Sequence, residues 1–168
     1  MEQVTSEPLG EPRGEPVAYY FRDLLLIGGG ATRLYLVRHA QSEGNRGEYE
    51  GPDDDPPLST VGHEQAGRLA RRFARQSVDA VYSSPLRRAL ETAQAIEECP
   101  GKRVVIVCHG AVIQTYVSHV LGLERDFAFY AFNAGITSIR AEGERRVIWR
   151  LNDVAHLDGL PPGFGGIS

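Results

Sequence analysis

Several shortages in this sequence each exclude a class of function. No apolar run is long enough to span a bilayer, so no transmembrane helix is expected. Its two cysteines, Cys99 and Cys108, have neither metal nor redox spacing, so no disulfide framework is expected and a reducing, cytoplasmic setting is the default. Positive charge is not in excess: 18 Lys and Arg stand against 22 Asp and Glu, for a net charge of −4. A basic surface for nucleic acid or for a membrane is therefore not expected. The first residues lack the cations of a secretory leader and carry Glu2, Glu7, Glu11 and Glu15 instead. What is present is ordinary for a globular chain: 168 residues, 42% hydrophobic and 24% charged, enough for one domain with a core.

The chain divides into three expected parts: an extension over 1–32, a domain over 33–158 and a flexible tail over 159–168. Residues 1–16 are rich in Glu, Pro and Gly and are expected to be disordered. Val17 to Ile27 reads as a loosely attached segment, helix or strand. Gly28-Gly29-Gly30 precedes a strand instead of following one, and Arg33 stands where a dinucleotide loop needs its third glycine, so it reads as a joint. Leu34 to Val37 is a continuous apolar run, the mark of a strand buried on both faces. Residues 44–57 read as a loop. Ser59 then caps a helix whose apolar stripe is Ala66, Leu69, Ala70 and Phe73; Arg68, Arg71, Arg72 and Arg75 lie opposite, as a solvated face. Val78 to Tyr82 is a second strand. Ser84 as cap and Pro85 as first residue open a helix with Leu86, Ala89, Leu90 and Ala93 inward. Arg103 to Cys108 is a third strand, followed by a helix over Val112 to Leu121 that Gly122 ends. Ile136–Arg140 and Val147–Leu151 form a hairpin around Glu142-Gly143-Glu144. This alternation predicts an α/β fold, a three-layer α/β/α sandwich with a mostly parallel sheet.

The strands end in groups suited to one anion. Arg38 and His39 follow the first. Arg87 and Arg88 sit in the first turn of the helix after the second. His109 follows the third. Ligands of such sheets bind beyond the carboxyl ends of the strands, and the helix start at Ser84 is expected to add backbone N–H groups and a positive dipole end. Guanidinium forks match phosphoryl oxygens, and a neutral imidazole can act as nucleophile. No metal is expected. His63-Glu64 has Gly67 where a zinc motif needs its second His, and Asp53-Asp54-Asp55 lacks further oxygen ligands at calcium-loop spacing.

Five ordered motifs carry a resemblance. They are Leu36-Val37-Arg38-His39-Ala40-Gln41-Ser42-Glu43-Gly44-Asn45, Pro57-Leu58-Ser59-Thr60-Val61-Gly62-His63-Glu64-Gln65-Ala66, Tyr82-Ser83-Ser84-Pro85-Leu86-Arg87-Arg88-Ala89-Leu90-Glu91-Thr92-Ala93, Val107-Cys108-His109-Gly110, and Leu151-Asn152-Asp153-Val154-Ala155-His156-Leu157. Together they resemble the histidine phosphatase superfamily, also called phosphoglycerate-mutase-like. The resemblance implies that His39 becomes phosphohistidine, and that Arg38, Arg88 and His109 complete the phosphate pocket. Asn45 and Gly110 would contact substrate, and Arg87 would be exposed. It implies no cofactor, and a small phosphate ester or a phosphoprotein as substrate. Ala40, Gln41 and Cys108 replace the family's usual Gly, Glu and Ser; Cys108 reads as a buried structural thiol.

The sequence departs from this family in one place. Between the helix holding Ala93 and the strand ending in His109, the family has several tens of residues: an edge strand, the loop with the acidic proton donor, and capping helices. Here only Gln94 to Lys102 stand there. The expected domain thus lacks an edge strand and cap. Glu97 and Glu98 are the nearest carboxylates, but lie about 13–15 Å along a helix from Arg88; Glu43 and Glu50 are alternatives. The shortened connection forces a choice. If the helix bearing Arg88 keeps its family face, its crossover is left-handed, against a strong preference. If it changes face, Arg88 leaves the pocket. The function expected is hydrolysis of phosphate monoesters through His39, impaired by loss of the acid. The alternative is an inactive relative that binds a phospho-ligand or a protein; a phosphoglycerate mutase is the third reading.

Overall fold

A computed structural model describes residues 30–47, 49, 51, 55–96, 103–125 and 128–160. The expected extension before Gly30, the tail beyond Leu160, and Glu50, Glu97, Glu98 and Cys99 lie outside the described residues. The elements run β1 (Thr32–Arg38), α1 (Glu43–Arg46), α2 (Thr60–Phe73), β2 (Ala80–Ser83), α3 (Arg87–Gln94), β3 (Arg103–Cys108), α4 (Gly110–Val120), β4 (Ile136–Glu142), β5 (Arg145–Asp153) and a 3-10 turn (Ala155–Leu157). The sheet order is β2-β3-β1-β4-β5. β3 pairs in parallel with both β1 and β2, while β4 is antiparallel to β1 and to β5. Four strands therefore point one way and β4 alone runs against them.

Alternation along β1 sends Tyr35 and Val37 to one face and Leu36 to the other. The first face packs with Val105 and Val107 against Leu69 and Phe73 of α2 and Ala89 and Ala93 of α3. The second packs with Cys108 and Ile139 against Ile113 and Val117 of α4. Two helical layers thus enclose the sheet, as the strand–helix alternation predicts. Within the first layer the Phe73 ring meets Tyr35 edge-on at 5.3 Å.

α2 and α3 lie on the same face, yet the chain crosses the sheet in opposite directions through them: from β1 out past β3 to β2, then back to β3. Two such connections on one face have opposite hands, so one of them is left-handed. The helix bearing Arg88 has kept its place, and the rarer handedness is the cost.

Two local expectations need correction. α3 begins at Arg87 with Leu86 at its N-cap and no capping side chain from Leu86, so Ser84 and Pro85 precede the helix. The Asp55 carboxylate, from a distant loop, accepts the Arg87 N–H at 2.9 Å and closes the helix end in their stead. Leu90, expected inward, is exposed; the buried stripe of the helix is Ala89, Thr92 and Ala93.

Candidate functional site

β1 ends with its hydrogen bonds intact. The His39 N–H donates to the Cys108 carbonyl at 2.9 Å, which fixes where the strand's last side chain points. The His39 carbonyl accepts from the Asn133 side chain at 3.0 Å and from the Ala134 N–H at 3.2 Å; the latter also reaches the Arg38 carbonyl at 3.0 Å. Ala134 takes a left-handed conformation, φ 56°, to do so, a conformation costing ~1–2 kcal/mol for a residue with a Cβ. Beyond His39, the Ala40 N–H donates to Thr92 Oγ1 at 3.0 Å, and Thr92 Oγ1 donates to the Arg88 carbonyl at 2.6 Å. The loop after His39 and the helix bearing Arg88 are thus joined through one hydroxyl.

His39 is buried, and its Nδ1 lies 2.8 Å from the Ala40 carbonyl oxygen. A carbonyl only accepts, so Nδ1 carries the proton and Nε2 keeps its lone pair. Burial, then the charges of Arg38 and Arg88, lowers the His39 pKa to about 3. The ring is neutral throughout the physiological range. His109 stands 5.3 Å away, ring centre to ring centre. Its Nε2 is 2.8 Å from Ser84 Oγ, so Ser84 orients this imidazole and does not cap a helix. Burial followed by Arg88 and Arg38 lowers the His109 pKa, with Asp55 opposing.

Arg38 is braced by Nη1, which donates to the Ala131 carbonyl at 2.7 Å and the Tyr130 hydroxyl at 3.0 Å. Its Nε is buried without a hydrogen-bond partner. A Cβ on Gly110 would lie 3.6 Å from that Nε, in ordinary van der Waals contact. Arg88 Nη1 pairs with Asp55 at 3.6 Å. The loop that delivers Asp55 is fastened again by Leu58, whose N–H donates to Glu91 of α3 at 2.9 Å. These clamps hold Arg88 beside the loop that carries Asp55 and Leu58. Arg87 is exposed and pairs with Glu91 at 2.7 Å, as its position predicts.

Arg38, His39, Asn45, Arg88, His109 and Gly110 all line a single open cleft of about 800 Å³. Sequence reasoning missed Ser42, Arg46, Gln114 and Tyr130, which line it too. The loop after β1 contains α1, where Ser42 and Asn45 form a reciprocal capping box. Asn45 Oδ1 is engaged by Ser42 and by Asn133 at 3.2 Å, so its NH₂ group is what it offers the cleft. Two helix starts meet the cleft, that of α4 through Gly110 and Ala111 and that of α3 through Arg88. No carboxylate lines the cleft among the described residues; Glu43 is not among its walls. Cys108 is buried and free, its thiol pKa pushed up to about 11 by burial, as expected of a structural residue. Among the described residues no cluster of His, Cys, Asp and Glu could hold a metal, and no helix could cross a membrane.

A sheet between two helical layers, with two imidazoles and converging guanidiniums at its carboxyl edge, is an arrangement suited to an anion. A model of the histidine phosphatase superfamily (branch 1) matches residues 34–100 and 95–154, and the chain belongs to that superfamily. The two matches meet where the connection is short. Phosphoserine phosphatase 1 of Hydrogenobacter thermophilus is 45% identical over 86 residues, 47% of this chain and 40% of that protein. Phosphoglycerate mutase-like protein 4 of Arabidopsis thaliana is 31% identical over 129 residues, 73% of this chain and 56% of that protein. The chain thus spans about half or less of the curated relatives it matches. Among solved structures, a phosphoserine phosphatase from Entamoeba histolytica in complex with phosphoserine superposes with a TM-score of 0.65, at 24% identity over 75% of this chain and 99% of that one. YhfR of Bacillus stearothermophilus gives 0.67 at 21% identity, over 76% and 100%. At these identities the likeness is one of fold.

Proposed function

We propose that this chain hydrolyses phosphate monoesters through a phosphohistidine on His39. The observation that carries the reading is the His39 tautomer: a buried, neutral ring with Nδ1–H tied to a backbone carbonyl and Nε2 free to attack. In the first step the Nε2 lone pair forms a bond to phosphorus as the ester oxygen leaves with its electron pair and takes a proton from water. In the second, water attacks phosphorus and gives a proton to the hydroxide left by the first step, the P–N bond breaks with its electron pair returning to Nε2, and inorganic phosphate departs. Arg38, Arg88 and His109 hold the charge on the transferring group, with Gly110 and Asn45 as further contacts. This scheme asks for no metal and no cofactor. It assigns the activity to residues 33–158.

General acid catalysis is typically worth ~10²–10⁴-fold, and no carboxylate lines the described cleft. Substrates whose leaving group needs no proton are therefore favoured: aryl phosphates, acyl phosphates or phosphohistidine in a protein. The same observation supports a second reading, a relative that binds phospho-ligands without turnover. A mutase fits less well, since an open cleft does not retain an intermediate. A reducing, cytoplasmic setting fits the free Cys108 thiol. The test is incubation with an aryl phosphate and a search for acid-labile phosphate on His39. Label on the wild type and none on His39→Ala supports the mechanism; full activity in that variant refutes it. Phosphate binding with neither label nor turnover selects the second reading.

A further inference from the structure

Asn152 sits near the end of β5, in the closing motif of the chain, and is not among the walls of the cleft. With Ala134, it is one of two non-glycine residues, among those described, in the left-handed region; its φ is 52°. Such a backbone persists where the surrounding contacts over-determine it. Here three hydrogen bonds do so. The Asn152 N–H donates to Thr137 Oγ1 at 3.1 Å. Its side-chain Nδ2 donates to the Tyr130 carbonyl at 2.7 Å, and its Oδ1 accepts from the Phe132 N–H at 3.0 Å. Gly135 leaves room for this amide, since a Cβ there would fall 2.4 Å from Asn152 Oδ1.

One side chain thus satisfies the backbone on both sides of Ala131. That short span is what braces Arg38. The Ala131 carbonyl accepts from Arg38 Nη1 at 2.7 Å, and the Tyr130 hydroxyl accepts from the same nitrogen at 3.0 Å. The Tyr130 ring lies 5.5 Å from the guanidinium carbon. Glycine would adopt a φ of 52° without strain; what it would lack is the amide that grips Tyr130 and Phe132.

We infer that Asn152 is a positioning residue: through Tyr130–Phe132 it sets the direction of the Arg38 guanidinium, and with it the affinity of the cleft for an oxyanion. The inference rests on the reading of the cleft as a phosphoryl site, and is independent of turnover at His39.

Asn152→Gly in the full chain is the test, with two readouts. Arg38 Nε is buried, so its N–H is shielded from exchange and its ¹⁵N resonance can be assigned by its loss in Arg38→Lys. In Asn152→Gly the heteronuclear NOE of that N–H should fall toward that of a mobile side chain. The thermal midpoint should change little, because glycine relieves the left-handed backbone. Inorganic phosphate, titrated calorimetrically, should bind roughly fivefold less tightly, the worth of about one hydrogen bond. In an Arg38→Lys background the same substitution should cost no further affinity. Asn152→Asp keeps the acceptor for Phe132 but loses the donor to Tyr130; it should show the same losses, and it replaces the glycine variant if that one does not fold. An unchanged Arg38 NOE, an unchanged phosphate affinity, or an equal loss in the Arg38→Lys background would each overturn the inference. Should the wild type bind no phosphate, the phosphoryl reading of the cleft falls, and the Arg38 NOE alone decides the role of Asn152.

Discussion

His39 makes the protein acid-sensitive in a way that can be measured apart from any activity. Its pKa is about 3 in the folded chain and ~6.5 when unfolded. A depressed pKa means that the folded state prefers the neutral ring. The associated stability is complete above pH 6.5 and is lost as pH falls toward 3. The slope is about 1.4 kcal/mol per pH unit, so the fall from pH 6.5 to 5 removes about 2 kcal/mol. That is a large share of the ~5–15 kcal/mol by which domains are typically stable. Urea denaturation of the wild type and of His39→Gln, at steps from pH 7.5 to 5, checks this. The stability of the wild type relative to the variant should fall by about 2 kcal/mol across the interval. His109, His156, Glu91 and Asp153 also have lowered pKa values, but both proteins carry them, and they cancel in the difference. Parallel profiles would refute the neutral, desolvated imidazole, and with it the free Nε2 on which the mechanism depends.

Asp55→Ala should cost about 1 kcal/mol, the typical worth of a helix cap, and should weaken inorganic phosphate binding, because Arg88 loses its brace; Asp55→Asn should recover most of the stability but not the ion pair. Oxyanion binding at pH 6.5 should draw in protons, since burial and then the charges of Arg88 and Arg38 lower the His109 pKa, and an anion between those guanidiniums offsets their share. Calorimetry with sulfate in two buffers of different ionisation enthalpy measures this uptake, and His109→Asn should abolish it. Gly62→Ala should destabilise by at least ~1–3 kcal/mol, since the new Cβ would fall 1.9 Å from the Gln41 carbonyl oxygen; a thermal midpoint unchanged from wild type would contradict that packing.

Much of the fold was legible because the signals were local. Uninterrupted apolar runs marked β1 and β3, the latter with its observed limits. Ser59 accepts from the Gly62 N–H at 3.0 Å, as a cap should. Gly143 turns the β4–β5 hairpin at φ 54°. The six expected site residues line one cleft because they sit at or just beyond strand ends or in the first turns of helices. The rest depends on partners distant in sequence. Ser84 looks like a cap until His109, 25 residues on, claims its hydroxyl. Asp55 looks like one of three loop aspartates until α3 arrives 32 residues later. Asn133 and Ala134 hold the His39 backbone from about 94 residues away, with no local pattern to reveal it. The helix α1 did have a signal, Ser42 followed three residues later by Asn45, but the surrounding glycines and prolines read more strongly as loop.

The place of β3 in the sheet bears on how the chain reaches this state. β1 and β2 are made first but do not touch; β3 fills the gap, aligning Arg33 with Arg103. That pairing closes a loop of some seventy residues, and such non-local contacts slow folding. It also brings His109 to His39 and α3 to the loop after His39. Until β3 docks, β2 has no partner in the sheet and His109 is not brought to His39. Refolding rate and recovery of phosphate binding should therefore share one time constant, with no early species that holds a ligand.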